Sequence, residues 1–205
     1  MQMTRTPRII LALAALAVGV AVLPGAAATA TDGSTDSINA KASVRDVNNN
    51  FLGTVTITQV SSTKLVVAGR LTGIAAGFHG FHIHSVGICN PTFVDPTGAV
   101  VPFGSAGGHL NPAGATHGHH AGDLPSLLVA ADGSAIAVVQ TDAVTLAQIF
   151  DADGAAFIVH AGADNFANIP SRYVASATGV PGPDAATLAT GDSGSRFACG
   201  VIVKA

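Results

Sequence analysis

The chain has 205 residues, of which 48% are apolar, 10% charged and 5% aromatic, with 24 Gly, 10 Pro and a formal charge of -3. That balance supports one compact domain with a real core and excludes a disordered or coiled-coil chain. All twelve acidic residues are Asp, Glu and Trp are absent and only three Lys occur, which excludes long charged helices and a basic nucleic-acid surface.

At the N-terminus, Arg5 and Arg8 precede an uncharged run from Ile9 to Leu23 and then small residues ending Ala28-Thr29-Ala30. This three-part order is that of a secretory signal. The apolar run falls short of the roughly 20 residues a membrane span needs, so a cleaved signal is expected rather than an anchor. Residues 1–30 are read as the signal, 31–37 as a polar leader and 38–205 as the folded domain. Cleavage leaves seven basic against twelve acidic side chains and a protein with no membrane attachment, secreted or held in the cell envelope. Export to an oxidising compartment permits a disulfide between Cys89 and Cys199, the only cysteines, with two buried thiols as the other reading.

After the leader the chain shows period-two alternation broken by turn residues. The clearest run is Thr54-Val55-Thr56-Ile57-Thr58, whose β-branched side chains alternate between the faces of a half-buried strand. Further strands are expected at 38–47, 64–71, 78–84, 126–131, 134–140, 155–160 and 197–203, with Asp132-Gly133 as a two-residue hairpin turn. No convincing helix emerges. Two stretches, 85–125 and 161–196, are too long and too rich in Gly and Pro for simple turns and read as functional loops of one sandwich or barrel.

All eight histidines lie between positions 79 and 160. His82 and His84 are one residue apart on an expected strand, so both imidazoles leave the same face and can share one ion. His79 falls on the opposite face and reads as structural. His109, His117, His119, His120 and Asp123 crowd one loop and offer the three-nitrogen, one-oxygen donor set that zinc accepts. His160 ends the apolar run Ala155-Ala156-Phe157-Ile158-Val159 and, taken alone, reads as a core histidine. Spacing therefore indicates one or two transition-metal sites, for copper or zinc, and goes no further.

The stretches HGFHIH (79–84), GGHLNP (107–112) and GSRFACGVI (194–202) closely resemble the signatures of Cu/Zn superoxide dismutases, and the resemblance runs from about Ile38 to Val203. The four-residue interval between His84 and Cys89 resembles the bacterial secreted branch. The resemblance implies an all-β, eight-stranded Greek-key barrel or flattened sandwich, with the two long loops packed over one side. It implies copper ligands His82, His84, His109 and His160, and zinc ligands His109, His117, His120 and Asp123, with His109 bridging. His119 has no counterpart and stands as an extra imidazole. Asp164 is implied as the carboxylate joining a copper histidine to a zinc histidine, Cys89 and Cys199 as a disulfide, and Arg196 as the cation beside the copper.

The implied reaction converts superoxide to dioxygen and hydrogen peroxide by alternate reduction and reoxidation of copper, with His109 supplying a proton. Zinc, being redox-silent, orders the loop and sets the basicity of His109. The family includes dimers and monomers, which leaves room for a homodimer. The 161–196 loop departs from a Lys-lined channel: its only bases are Arg172 and Arg196, against Asp164, Asp184 and Asp192, so long-range attraction of an anion is expected to be modest. The main alternative is a non-catalytic secreted copper/zinc-binding protein on the same fold. A secreted zinc hydrolase is disfavoured because the chain has no HExxH and no Glu.

Overall fold

A computed structural model describes residues 38–176 and 179–205; the expected signal and leader lie outside the described residues. Strands β1 (Ile38–Asp46), β2 (Phe51–Ser61) and β3 (Lys64–Leu71) form an antiparallel meander. In β2, Val55 and Ile57 are buried while Thr54 is exposed and Thr56 and Thr58 are half-buried, as period-two alternation requires of a strand with one face on the core. The remaining strands are β4 (Gly77–His79), β5 (Phe81–His84), β6 (Leu127–Val129), β7 (Ala135–Thr141), β8 (Ala156–His160), β9 (Arg196–Val201) and the short β10 (Val203–Lys204).

Hydrogen bonding orders them β4-β6-β7-β3-β2-β1-β9-β8-β5, with β10 added to β1. All pairings are antiparallel, and the non-consecutive neighbours β3–β7 and β1–β9 are the long crossings of a Greek key. The two ends of this path, β4 and β5, are separated in the chain only by Gly80, so the sheet returns on itself as a nearly closed barrel. Closure removes most of the edge that an open sheet would expose. The interior is filled by side chains from every wall, among them Val55, Ile57, Leu65, Val67, Phe81, Phe157 and Val159.

Three expectations need correction. The single strand expected over 78–84 is two, because Gly80 turns its N–H to the carbonyl of Gly162 and the chain changes partner there, from β6 to β8. The turn at Asp132-Gly133 is longer than two residues: Gly133 N–H donates to the Ala130 carbonyl and Ala130 N–H to the Ser134 carbonyl, with Gly133 at φ 79°. That is a three-residue loop with glycine at its left-handed position. Finally, two short helices are present, α1 (Leu146–Ile149) and α2 (Ala185–Thr190). Thr145 and Gln148 form a reciprocal capping box at α1, and Asp184 caps α2 by accepting from Thr187 N–H. Neither is long enough to show a helical period in the sequence.

Candidate metal centre

Every residue of β5 is buried, for two different reasons. Phe81 and Ile83 join the barrel core, while His82 and His84 leave the other face, beneath the 85–125 loop. That loop is stitched to β5: Ile83 N–H donates to the Gly122 carbonyl, Leu110 N–H to the Ile83 carbonyl and Ser85 N–H to the Gly108 carbonyl. The stitching brings His109 opposite His84 and Asp123 opposite His82. On the neighbouring β8, His160 is buried at the strand end.

Four imidazoles thereby converge. Donor atoms of His82, His84, His109 and His160 all lie within 4.8 Å of one another. In three of these rings one nitrogen is committed: His84 Nδ1 to the Gly107 carbonyl at 2.9 Å, His160 Nδ1 to the Gly194 carbonyl at 3.0 Å, and His82 Nε2 to the Asp164 carboxylate at 2.7 Å. An acceptor at one nitrogen fixes the proton there and leaves the other as a bare lone pair. Those others, His82 Nδ1, His84 Nε2 and His160 Nε2, are buried with no hydrogen-bond partner. Three orphaned lone pairs aimed at one point are costly unless a cation meets them, so this donor set fits a transition-metal ion.

Charge state agrees with that fit. Burial pushes His84 well below the ordinary imidazole value, helped by the Arg196 charge, and pushes His160 down to about 3 despite its carbonyl partner. Burial also lowers His82, against the pull of Asp164. All three rings are neutral at pH 7 and ready to ligate.

A second cluster sits on the far side of His109. Its Nδ1 is 3.3 Å from both His117 Nδ1 and His120 Nδ1, and 2.9 Å from Asp123 Oδ1, which lies 3.3 and 3.2 Å from the same two rings. A tetrahedral zinc with bonds of about 2.0–2.1 Å sets neighbouring ligand atoms about 3.3 Å apart, so these four atoms fit that ion. Donor atoms of His82 also come within 4.8 Å of His109, His117 and Asp123. Because its Nε2 is taken by Asp164, His120 is the better fourth member. Asp123 is oriented by Gly118 and His120 N–H groups, both donating to Oδ2.

Asp164 joins the clusters. Its Oδ2 accepts from His82 and its Oδ1 from His117 at 2.8 Å, while Phe166 N–H donates to the same Oδ1 at 2.7 Å. Burial works against the charge, but these donors hold the Asp164 carboxyl well below the usual carboxylate range. Burial likewise opposes a charged His117, and the pull of Asp123 and Asp164 outweighs it and raises its value, a demand for positive charge that a cation among these groups also answers. Gly191, at φ 61°, ends α2 beside this pair. A Cβ there would fall 2.0 Å from Asp164 Oδ1 and 2.2 Å from His117 Nε2, so only glycine leaves room for the bond.

Replacing Asp164 by Asn keeps the shape but sets an amide N–H₂ against one of the two imidazole N–H groups. Zinc affinity is expected to fall about 10–100-fold, the usual cost of losing such an outer partner. Competition against a chelator measures it; affinity within twofold of the wild type is the contrary result.

Arg196, at the start of β9, donates from its two terminal nitrogens to the Phe103 and Gly107 carbonyls, each at 2.5 Å. It lines a cleft of about 510 Å³ together with His84, His109, His160 and Asp192. Gly107 thus holds both His84 and Arg196 through one carbonyl, a role that composition and spacing did not signal. The loop bearing those carbonyls is tied to β9 by a disulfide between Cys89 and Cys199, 110 residues apart. Changing both cysteines to Ser is expected to cost about 2–5 kcal/mol in a urea titration. An unchanged midpoint and slope would contradict the tether.

Of the other histidines, His119 is exposed and outside both clusters. His79 is buried with Nδ1 2.7 Å from the His160 carbonyl and Nε2 2.8 Å from the Ala75 carbonyl, which leaves no nitrogen for a metal and makes it a pin between β8 and the chain entering β4.

Residues 51–202 match the copper/zinc superoxide dismutase (SODC) family. Among relatives, the chain is 53% identical over 135 residues to the superoxide dismutase [Cu-Zn] of Mycobacterium tuberculosis, covering 65% of this chain and 55% of that one. It therefore matches little more than half the length of that relative. It is 38% identical over 161 residues to the superoxide dismutase [Cu-Zn] of Haemophilus parainfluenzae, covering 75% of this chain and 74% of the other. A SOD-like protein from Bacillus subtilis has a similar solved structure, with a TM-score of 0.62, 28% identity and coverage of 82% of this chain and 100% of that one.

Proposed function

The chain belongs to the copper/zinc superoxide dismutase family, and on that premise we propose that it converts two superoxide anions and two protons into one dioxygen and one hydrogen peroxide. The observation that carries this reading is the set of three bare, buried nitrogens on His82, His84 and His160 beside an immobilised Arg196. In this reading copper is held by His82, His84, His109 and His160, and zinc by His109, His117, His120 and Asp123. When bound, copper supplies a one-electron couple and zinc a redox-silent positive charge.

The chain's own residues supply the rest. Arg196, fixed by two carbonyls, presents its remaining N–H groups to a small anion in the cleft, and its charge is permanent at any working pH. His109 has Nδ1 committed to the second cluster, so it takes up and releases a proton at Nε2, facing the first. Asp164 keeps His82 and His117 in one tautomer each, so both clusters hold their shape as that proton comes and goes. The Cys89–Cys199 bond and the bacterial relatives favour a protein working outside the cytosol, with residues 1–30 as an export signal and 38–205 as the active domain.

A non-catalytic copper/zinc carrier on this fold has no need of an anion-facing arginine anchored at two points, and Arg196 weighs against it. The two readings separate in one experiment on protein expressed with export: metal content together with consumption of a superoxide pulse. Copper and zinc bound with rapid consumption is the expected result. Copper bound with no consumption above free buffer would make the carrier the right reading.

A further inference from the structure

The second cluster has an opening of its own. A cleft of about 440 Å³ lies beside it, lined by His109 and His120, by Asn111 and Ala115 on one side and by Ala185 and Leu188 of α2 on the other. His117, His120 and Asp123 are absent from the lining of the 510 Å³ cleft over the first cluster, and His84, His160 and Arg196 from the lining of this one, so the two clusters face solvent through two openings that meet at His109. Elsewhere the second cluster is shut: the His117 side chain has no exposed surface, Phe166 stacks on its ring with planes 19° apart, and Gly191 packs against its Nε2 edge. A cation entering by the first cleft passes the permanent charge of Arg196, and the repulsion is twice as large for a divalent ion as for a monovalent one. No lysine or arginine lines the second cleft.

Both sides of this cleft are held by hydrogen bonds. Asn111 Nδ2 donates to the Ala115 carbonyl at 2.8 Å and Ala115 N–H to Asn111 Oδ1 at 2.9 Å. Opposite, the Leu188 backbone is pinned at both ends, its N–H donating to the Asp184 carbonyl at 2.9 Å and its carbonyl accepting from His117 N–H at 2.7 Å. Ala185, Leu188 and Ala189 stand at i, i+3 and i+4, so one face of α2 is turned to the cleft, and on that face only the half-buried Leu188 has a side chain that turns about its own bonds. We infer that the second metal ion enters and leaves by this cleft, with the Leu188 side chain as its stopper. This deepens the proposed function and rests on it for zinc as the ion. Turning the half-buried side chain outward forfeits burial worth about a factor of ten in rate. A stopper bars both directions, so it sets uptake and release together and leaves affinity alone, whereas a residue that supports a ligand changes affinity.

The test uses exported protein with copper in the first cluster, so that zinc is confined to the second. Zinc release is followed into an excess of a coloured chelator, and zinc uptake by the same protein depleted of zinc alone, at an ionic strength of about 0.15 M, where charges more than about 8 Å apart are largely screened. Leu188→Ala is expected to speed release and uptake about tenfold each, with zinc affinity within about threefold of the wild type. Ala185→Phe, at the exposed first residue of α2, fills the cleft and is expected to slow both rates. Arg196→Ala is expected to leave both rates within about twofold, because the ion does not pass that charge. Faster release with unchanged uptake in Leu188→Ala makes Leu188 a support and not a stopper, and faster uptake in Arg196→Ala places the route in the first cleft. Either result overturns the inference, as do unchanged rates in both α2 variants. If the rates move together as expected while the protein consumes no superoxide, the stopper stands and the dismutase reading falls; if the second cluster takes up no zinc, both fall.

Discussion

Replacing His82 by Ala is expected to abolish superoxide consumption and to strip copper from the protein, while leaving the barrel folded. His82 occupies the centre of the site: its ring lies 4.0 Å from that of His109 and 4.9 Å from that of His160, centroid to centroid. It is also the partner of Asp164 in the first cluster. The substitution removes one of four donor nitrogens and frees a carboxylate oxygen that had no other imidazole to hold. Loss of an outer partner alone costs about 10–100-fold in metal affinity, so loss of a direct donor is expected to exceed a hundredfold. Copper content after dialysis against a competing chelator, measured beside activity, reads both effects. Because His82 faces the loop and not the barrel interior, the metal-free variant is expected to lose only about 1–3 kcal/mol, the range for a buried polar group deprived of its partner. A variant that keeps stoichiometric copper and wild-type turnover would remove His82 from the site.

Arg196→Ala is expected to separate metal binding from chemistry. None of the bare nitrogens belongs to Arg196, so copper and zinc stay bound at wild-type stoichiometry. What is lost is a cation oriented by the Phe103 and Gly107 carbonyls before any anion arrives. Removing one such preorganised donor costs about a hundredfold or more in enzymes where charge moves onto oxygen. Superoxide consumption is therefore expected to fall about a hundredfold or more. Arg196→Lys keeps the charge but not the fork, and one ammonium cannot span two carbonyls while facing the cleft, so an intermediate loss is expected. Full activity in Arg196→Ala, measured by pulse radiolysis, would show that the anion does not use this residue.

How much of this was legible beforehand differs from residue to residue. His82 and His84 announce a shared face through strand parity alone, since a spacing of two allows nothing else once the strand is granted. The loop histidines announce a metal by their number and by the Asp123 that follows. His160 did not: at the end of an apolar strand its pattern is that of a core residue, and only the resemblance lifted it out. The strand expected over 78–84 divides where the chain changes partners, because the break at Gly80 is a hydrogen bond to Gly162, eighty-two positions later, and such a bond has no local signature. The short helices carry readable caps, Thr145 with Gln148 and Asp184 before Thr187, but four to six residues show no period. Gly107 and Gly191 were not legible as site residues. Their roles rest on a carbonyl direction and a missing Cβ, both consequences of the assembled loops.

The most direct test of the account is a crystal structure of the exported protein with anomalous data collected at the copper and zinc absorption edges. The expected result is one copper peak in contact with His82 Nδ1, His84 Nε2, His160 Nε2 and the His109 ring, and one zinc peak among His109 Nδ1, His117 Nδ1, His120 Nδ1 and Asp123. Copper located away from those four imidazoles, or two metals with no ring in common, would contradict it.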